Sequence, residues 1–158
     1  MTKPRKRSKP SSIFPPSLVF LLVAALSVAI NELVRPLSIA PGNPIRMIMG
    51  PVLLLIGGAL WLLAWREFRR LDEVFGHQYA TGTVVTTGPY RISRHPAYLA
   101  YAVMTAGLGL FVDNAWMLLS LPVSVLIVDS AARREETYLM AKHEGHYRPY
   151  RSEVRRWI

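Results

Sequence analysis

The sequence predicts an all-α membrane protein, a polytopic helix bundle with four transmembrane helices and both termini in the cytoplasm. Hydrophobic residues make up 51% of the 158-residue chain and charged residues only 18%, and the apolar residues gather into four long runs. The 19 Lys and Arg residues outnumber the 10 acidic residues and collect between alternate runs. The chain has no cysteine, which excludes disulfides, thiolate metal sites and a cysteine nucleophile.

Each apolar run is close to the length of about 17 to 25 residues that a spanning helix needs. The first run follows a basic tail, residues 1–17, and further apolar runs come after it, so we interpret it as a retained anchor and not as a cleaved signal peptide. The third run is near the short limit. The pattern predicts one membrane domain over residues 18–158, with spans at 18–34, 45–65, 96–112 and 115–132 and a cytoplasmic helix over 133–158.

Local signals predict how the runs begin and end. Pro96 suits the first turn of a helix because its missing N–H would be unpaired there, and this places His95 at the cap position. Asp113 and Asn114, between the third and fourth runs, predict a tight hairpin turn. The connector 66–80 carries apolar residues at helical spacing among charges, which predicts a helix along the cytoplasmic membrane surface.

The positive charges alternate along the chain. Five Lys and Arg residues lie in the N-terminal tail, two in the first connection, five in the second, none in the third and seven after the fourth run. For a protein with four spans and both termini in the cytoplasm, the positive-inside rule predicts this alternation of basic and non-basic connections. It accounts for the net charge of +9 without nucleic acid. We therefore predict a multi-pass protein of the cell inner membrane whose partners are membrane lipids and not nucleic acid.

The first polar cluster, residues 86–98, precedes the third run. A helix start presents free N–H groups and a positive potential, so a ligand carboxylate can dock beside Arg94 and His95. Tyr90 and Tyr98 offer flat rings and hydroxyl groups. The alternative is structural: the arginines set the topology and the tyrosines belong to an interfacial aromatic belt.

The second polar cluster, residues 133–150, follows the fourth run. A helix continuing from that run would place Glu135, Leu139 and His143 on one face. A carboxylate there suits an amino group or another cationic centre of a ligand, whereas the alternative is a weak exposed ion pair with a neighbouring arginine. Asp129 lies inside the apolar run, where acidic residues usually face a partner or a cavity.

No metal site is predicted. His143 and His146 lie three residues apart, whereas the helical zinc-protease signature needs two His four apart with Glu after the first. Serine nucleophile elbows, phosphate-binding loops and dinucleotide glycine fingerprints are also absent.

The stretches TTGPYRISRHPAYLA and EETYLMAKHEGHYRPYRSEVRRW together resemble the isoprenylcysteine carboxyl methyltransferase family and its bacterial relatives. Phospholipid methyltransferases share a similar motif pair. The first motif is carried by Gly88, Tyr90, Arg94, His95, Pro96 and Tyr98, with Ala100 where the family has glycine. The second is carried by Glu135, Glu136, Leu139, Tyr147 and Tyr150, with His143 and Glu144 where the family has Phe-Gly.

The resemblance implies S-adenosylmethionine bound without a Rossmann domain, at the cytoplasmic membrane face, and a lipid-like or amphipathic acceptor that enters from the bilayer. Eukaryotic members carry a substrate-side arginine where this chain has Ala131, so the acceptor's identity is not implied. The implied cofactor contacts are Gly82, Thr83, Val84, Val85, Tyr90, His95, Pro96, Ala97, Tyr98 and Glu135.

The chemistry of methyl transfer separates two acceptors. The enzyme must chiefly align the reactants and exclude water, because a methyl group on a sulfonium is already a strong electrophile. An α-carboxylate, with a pKa of about 3.3 to 3.7, arrives ionised and needs no base, so O-methylation of a carboxylate is our prediction. An amine must lose a proton, to Glu136, His143 or His146. Arg94 and Glu136 are the candidate catalytic residues.

Three other functions are compatible with the sequence. An N-methyltransferase would act on a phospholipid or another amine. A relative of the membrane sterol reductases would use NADPH in place of S-adenosylmethionine. A non-enzymatic membrane scaffold would use its basic segments only to set topology.

Overall fold

The computed structural model describes residues 15–70 and 84–158. Within these ranges the chain forms five α-helices and one short 3₁₀ helix, and it has no strand. The α-helices are α1 (Pro16–Leu33), α2 (Pro44–Arg70), α3 (Pro96–Phe111), α4 (Ala115–Lys142) and α5 (Glu144–Glu153), and the 3₁₀ helix is Gly88–Arg91.

Three of these helices, α1, α2 and α4, are long and apolar enough to cross a membrane. Helix α3 is also apolar but has only 16 residues. Large apolar side chains on the long helices face outward, among them Leu55 at 74% and Leu126 at 71% exposure, as expected of surfaces that contact lipid. Within the described residues the prediction of an all-helical fold is confirmed, and the three long apolar helices support a membrane protein. The fourth span and the cytoplasmic placement of both termini stay predictions.

Helix α3 packs against α1, α2 and α4, and glycines allow its close approach to α2. A Cβ added at Gly107 would lie 2.8 Å from the carbonyl oxygen of Gly50, and one added at Gly57 would lie 2.6 Å from Met104 Cγ. Small residues let two helix backbones approach closely in membrane proteins. The α2–α3 pair therefore forms a rigid frame for the polar residues at its ends.

The connection between α3 and α4 is the predicted tight turn. Asp113 adopts a left-handed backbone conformation with φ of 55°, and its carboxylate accepts a hydrogen bond from the Ile39 N–H at 2.9 Å. Asn114 caps α4 by accepting from Met117 N and donates from Nδ2 to the Ser27 carbonyl at 3.1 Å. The turn thus joins α1, the α1–α2 connection and α4.

The end of the chain differs from the single helix predicted over 133–158. Helix α4 continues without a break to Lys142, α5 begins at Glu144, and residues 154–158 are not helical. The break lets Tyr147 pack against Leu139, which a straight helix would hold about 12 Å away along its axis. The final residues return to the start of α3, where Arg94 N donates to the Arg155 carbonyl at 3.0 Å.

The predicted surface helix over 66–80 is described only in part. Helix α2 extends to Arg70, and Phe68 on its last turns is buried against the Tyr90 ring at a centroid distance of 5.7 Å. Residues 71–80 lie outside the described residues.

Candidate active site

The start of α3 is the first wall of the site. Pro96 is its first residue and His95 its cap, as the sequence predicts. The His95 side chain is only 2% exposed, and its backbone N–H donates to Ser93 Oγ at 3.2 Å. Ser93 Oγ in turn donates to the carbonyl of Arg156 at 3.0 Å, so the C-terminal segment fixes the chain just before the helix.

The glutamate pair of α4 is the second wall, and it meets the first. Glu135 and Glu136 are 1% and 2% exposed, and the His95 ring lies between them. Its Nε2 is 3.3 Å from Glu136 Oε1, and its Nδ1 is 3.7 Å from Glu135 Oε2. Tyr98 stacks on the His95 ring and donates its hydroxyl hydrogen to Glu135 Oε2 at 2.7 Å. The two predicted clusters therefore form one buried site.

Glu136 is neutralised by two arginines. The Arg156 guanidinium donates from Nε to Oε1 at 2.8 Å and from Nη2 to Oε2 at 2.9 Å, a bidentate arrangement that is among the strongest polar contacts in proteins. Arg94 Nη1 lies 3.0 Å from Oε2. The hydrogen bond to Glu136 raises the pKa of Arg156 above its ordinary value. Glu136 thus lies at the centre of a group of ion-paired residues, which we call the ion network: Arg94, Asp129, Glu136 and Arg156.

Glu135 has a different environment. Its partners are the neutral Tyr98 hydroxyl and the His95 ring, and among the described residues no Lys or Arg forms an ion pair with it. A buried carboxylate without a cation is costly. Glu135 is therefore suited to receive the positive charge of a ligand.

Two buried polar atoms beside Glu135 have no hydrogen-bond partner within the described ranges: Tyr90 Oη and His95 Nδ1. An unpaired buried polar atom costs about 1 to 3 kcal/mol, so such atoms are candidates for contacts to a ligand. Burial raises the pKa of Tyr90 well above its ordinary value. The hydroxyl therefore stays protonated and can donate a hydrogen bond.

Some of the other predicted cofactor residues lie around Tyr90 and His95. Val85, Ala97 and Tyr98 pack in one cluster with Tyr90, and Pro96 is buried. Val84 packs against the separate cluster around Leu139 and Tyr147. The predicted contacts Gly82 and Thr83 lie outside the described residues.

The sequence did not predict that the C-terminal residues Arg156 and Trp157 bind acidic side chains of α4. Arg156 Nη1 donates to Asp129 Oδ1 at 3.2 Å, and Trp157 Nε1 donates to the same oxygen at 3.1 Å. The Trp157 ring lies 6.0 Å from the His95 ring. The position of Asp129 inside an apolar run was one available signal, but Arg156 follows Glu136 by 20 residues and no local spacing connects them.

A fourth acidic residue, Glu67 near the end of α2, was not predicted to be a site residue from the sequence. It is 8% exposed and accepts a hydrogen bond from Thr87 Oγ1 at 2.6 Å. The adjacent Gly88 has φ of +60°, and a Cβ there would lie 2.8 Å from Glu67 Cγ. Glu67 therefore holds the 3₁₀ helix that carries Tyr90 into the site.

The two histidines considered as bases for an amine lie elsewhere. His143 is the junction between α4 and α5, about 12 Å along the helix from Glu135, and His146 is exposed. Within residues 15–70 and 84–158, no group of three or more His, Asp or Glu residues is arranged to hold a metal ion.

Comparison with known proteins gives one family match and one curated relative. Residues 45–145 match the family described as Phospholipid methyltransferase. The chain is 27% identical over 93 residues to the nickel-cobalt-cadmium resistance protein NccN of Alcaligenes xylosoxydans xylosoxydans, over 59% of this chain and 39% of the relative. The chain thus spans about two fifths of that relative's length. No solved structure matches the chain significantly. The family match includes His95 and the glutamate pair but ends before Arg156 and Trp157.

Proposed function

Since the chain belongs to the phospholipid methyltransferase family, we propose that it is an S-adenosylmethionine-dependent enzyme that methylates a lipid-like acceptor within the membrane. The family match confirms the resemblance to membrane methyltransferases and implies methyltransferase activity.

The buried Glu135, which has no Lys or Arg partner among the described residues, carries the cofactor proposal. S-adenosylmethionine supplies an electrophilic methyl group on a positively charged sulfur, and it also carries an amino group. Glu135 would pair with one of these positive charges, while Tyr90 Oη and His95 Nδ1, both without partners among the described residues, would complete their hydrogen bonds. The charge of Glu135 and the two unpaired polar atoms therefore fit the groups that S-adenosylmethionine carries.

We assign positioning roles to the two residues that the sequence named as catalytic candidates. Glu136 orients the His95 ring through Nε2 at 3.3 Å, and Arg94 supports Glu136 at 3.0 Å. Because a carboxylate only accepts hydrogen bonds, the contact places a proton on His95 Nε2 and directs Nδ1 toward Glu135. The ion network thus keeps the site rigid and dry, which favours alignment of the reacting groups.

A carboxylate is the first candidate for the acceptor group. Glu136, the buried residue considered as a base for an amine, already pairs with two arginines and is a poor proton acceptor. A carboxylate acceptor needs no base because it is ionised near neutral pH. The engagement of Glu136 therefore supports O-methylation.

A phospholipid amine is the second candidate, and one observation specifically favours it. His95 Nδ1 has no hydrogen-bond partner among the described residues, and this nitrogen could accept the proton that an amine must lose. The description of the matched family, Phospholipid methyltransferase, points to the same substrate class.

The distribution of charge supports a cytoplasmic site. The end of α2, the start of α3 and the end of α4 lie together at the site, and this end of the bundle carries Arg69, Arg70, Arg94, Arg133 and Arg134. An excess of arginine marks the cytoplasmic side of the inner membrane.

Methyl transfer from S-adenosylmethionine labelled in its methyl group tests the proposal. We expect the purified full-length protein to transfer label to a lipid fraction of its host membrane, and Glu135→Gln to transfer far less. Label that mild base releases as volatile methanol indicates a methyl ester, and label that stays in a non-volatile product after base indicates a methylamine. Folded protein that binds NADPH and transfers no label would support a reductase and contradict the proposal.

A further inference from the structure

A cavity of about 390 Å³ lies between α1, α2 and α3, and none of the residues that pair with Glu136 lines it. Its lining is almost entirely apolar and includes Phe20, Ala24, Leu54, Met104 and Leu108. Its volume falls within the range of about 300 to 1,000 Å³ that is usual for small-molecule sites. We refer to this cavity as the α1–α3 cleft.

The α1–α3 cleft begins close to the candidate active site. Its lining includes Trp61 and Tyr101, whose side chains are joined by a hydrogen bond from Trp61 Nε1 to the Tyr101 hydroxyl at 3.0 Å. Tyr101 follows Tyr98, the partner of Glu135, by about one helical turn. From Tyr101 to Leu108 the cleft extends seven residues along α3, or about 10 Å, away from the site.

The position of the cleft limits what can occupy it. Two of its walls, α1 and α2, are long and apolar enough to cross a membrane, so the cleft lies at the depth of lipid hydrocarbon, where water is scarce. Thr105, a polar residue of the lining, already donates its hydroxyl hydrogen to the Tyr101 carbonyl at 2.9 Å. The lining therefore favours a hydrocarbon chain over a polar ligand.

The N-terminal segment of the chain itself is a poor match for this lining. Residues 1–14 include five Lys and Arg residues within their first nine positions. Burying such charges in an apolar cleft without partners is strongly unfavourable. A hydrocarbon chain from the surrounding bilayer has the complementary chemistry and reaches the cleft without crossing water.

We propose that the α1–α3 cleft binds the hydrocarbon chain of the methyl acceptor and directs its polar end toward Tyr98 and Glu135. That the bound chain belongs to a methyl acceptor rests on the proposed function. Because the cleft has a limited depth, we expect the KM of the enzyme to depend on the length of the acceptor's hydrocarbon chain.

Filling the cleft with a larger side chain tests this proposal. We expect Ala24→Trp and Leu108→Trp to raise the KM for a long-chain acceptor by about tenfold or more, and to change the KM for a short-chain acceptor and the S-adenosylmethionine affinity far less. Leu22→Trp is the matched control, because Leu22 lies on the same helix as Ala24, does not line the cleft and is 55% exposed. Equal KM values for all chain lengths in both filled variants would overturn the proposal.

A crosslinking experiment separates this proposal from the proposed function. Phosphatidylethanolamine with a photoreactive group in its acyl chain should label α1 and α3 residues of the cleft in vesicles, and Ala24→Trp should abolish that labelling. Labelling that persists in a protein without methyl transfer would support the cleft and contradict the methyltransferase. Labelling spread evenly over the exposed helix faces, or crosslinks from the cleft to a second copy of the chain, would overturn the cleft proposal.

Discussion

Replacing Glu135 with Gln removes one negative charge from the candidate site and keeps the shape of the side chain. Gln can still accept the hydrogen bond from the Tyr98 hydroxyl, which is 2.7 Å long in the structure. The ion network lies on the neighbouring residue Glu136. The substitution therefore tests the charge of Glu135 with little effect on the fold.

The burial of Glu135 sets the expected magnitude. The residue is 1% exposed, so solvent screens its charge only weakly. A unit charge about 4 Å away interacts with it by about 4 kcal/mol at an effective dielectric constant of about 20. A hydrogen bond to Gln would restore part of this, which leaves a loss of about 2 to 4 kcal/mol. That loss corresponds to an S-adenosylmethionine Kd about 30 to 700 times larger.

Calorimetric titration of the detergent-solubilised protein with two ligands measures the effect. S-adenosylhomocysteine lacks the positive sulfur but keeps the amino group. A greater loss of affinity for S-adenosylmethionine would place Glu135 near the sulfur, and an equal loss would place it near the amino group. Glu136→Gln is the matched control, for which we expect a lower unfolding temperature and a smaller loss of affinity. Unchanged affinity of Glu135→Gln for both ligands would refute this account of Glu135.

Three further predictions concern the parts that hold the site. Arg156→Met leaves the buried Glu136 carboxylate with one arginine fewer. We therefore expect thermal unfolding to show a stability loss of about 3 kcal/mol. An unchanged unfolding temperature would contradict the proposed ion pairing of Glu136. Gly88→Ala places a Cβ 2.8 Å from Glu67 Cγ on a residue with φ of +60°. We expect it to lower the free energy of unfolding by at least about 1 to 2 kcal/mol and to reduce cofactor affinity. Wild-type stability of this variant would contradict the close contact between Gly88 and Glu67. The hydrogen bond from Ser38 lowers the pKa of Asp113, so this carboxylate stabilises the fold above its ordinary pKa and loses that effect as the pH falls through the lowered value. The unfolding-temperature difference between the wild-type protein and Asp113→Asn should therefore shrink in acid, and a constant difference would contradict the assignment.

The sequence predicted the features that depend on local chemistry. The placement of Pro96 and His95 at the start of α3 follows from the missing proline N–H, and the turn at Asp113 follows from residues that tolerate tight turns. The spacing of the glutamates also predicted that α4 would carry Glu135 beyond the apolar run. These signals act within a few residues, so the sequence contains them directly.

Features that depend on distant segments were not predicted. Arg156 pairs with Glu136 only because α5 reverses the chain and the last residues return to the start of α3. The same reversal brings Trp157 to Asp129. In the sequence Glu67 is one of several charged residues near the end of α2, and its contact with Gly88 depends on the packing of the 3₁₀ helix. Ion pairs of this kind are set by tertiary packing and leave no periodic pattern.

Direct binding of S-adenosylmethionine to the wild-type protein is the simplest test of the proposed cofactor. Titration of the full-length protein in lipid vesicles with S-adenosylmethionine and, separately, with NADPH should give saturable binding of S-adenosylmethionine alone. We predict that Glu135→Gln abolishes most of that binding in folded protein, and folded wild-type protein should not bind NADPH. Folded wild-type protein that binds NADPH, or that binds neither ligand, would contradict this prediction.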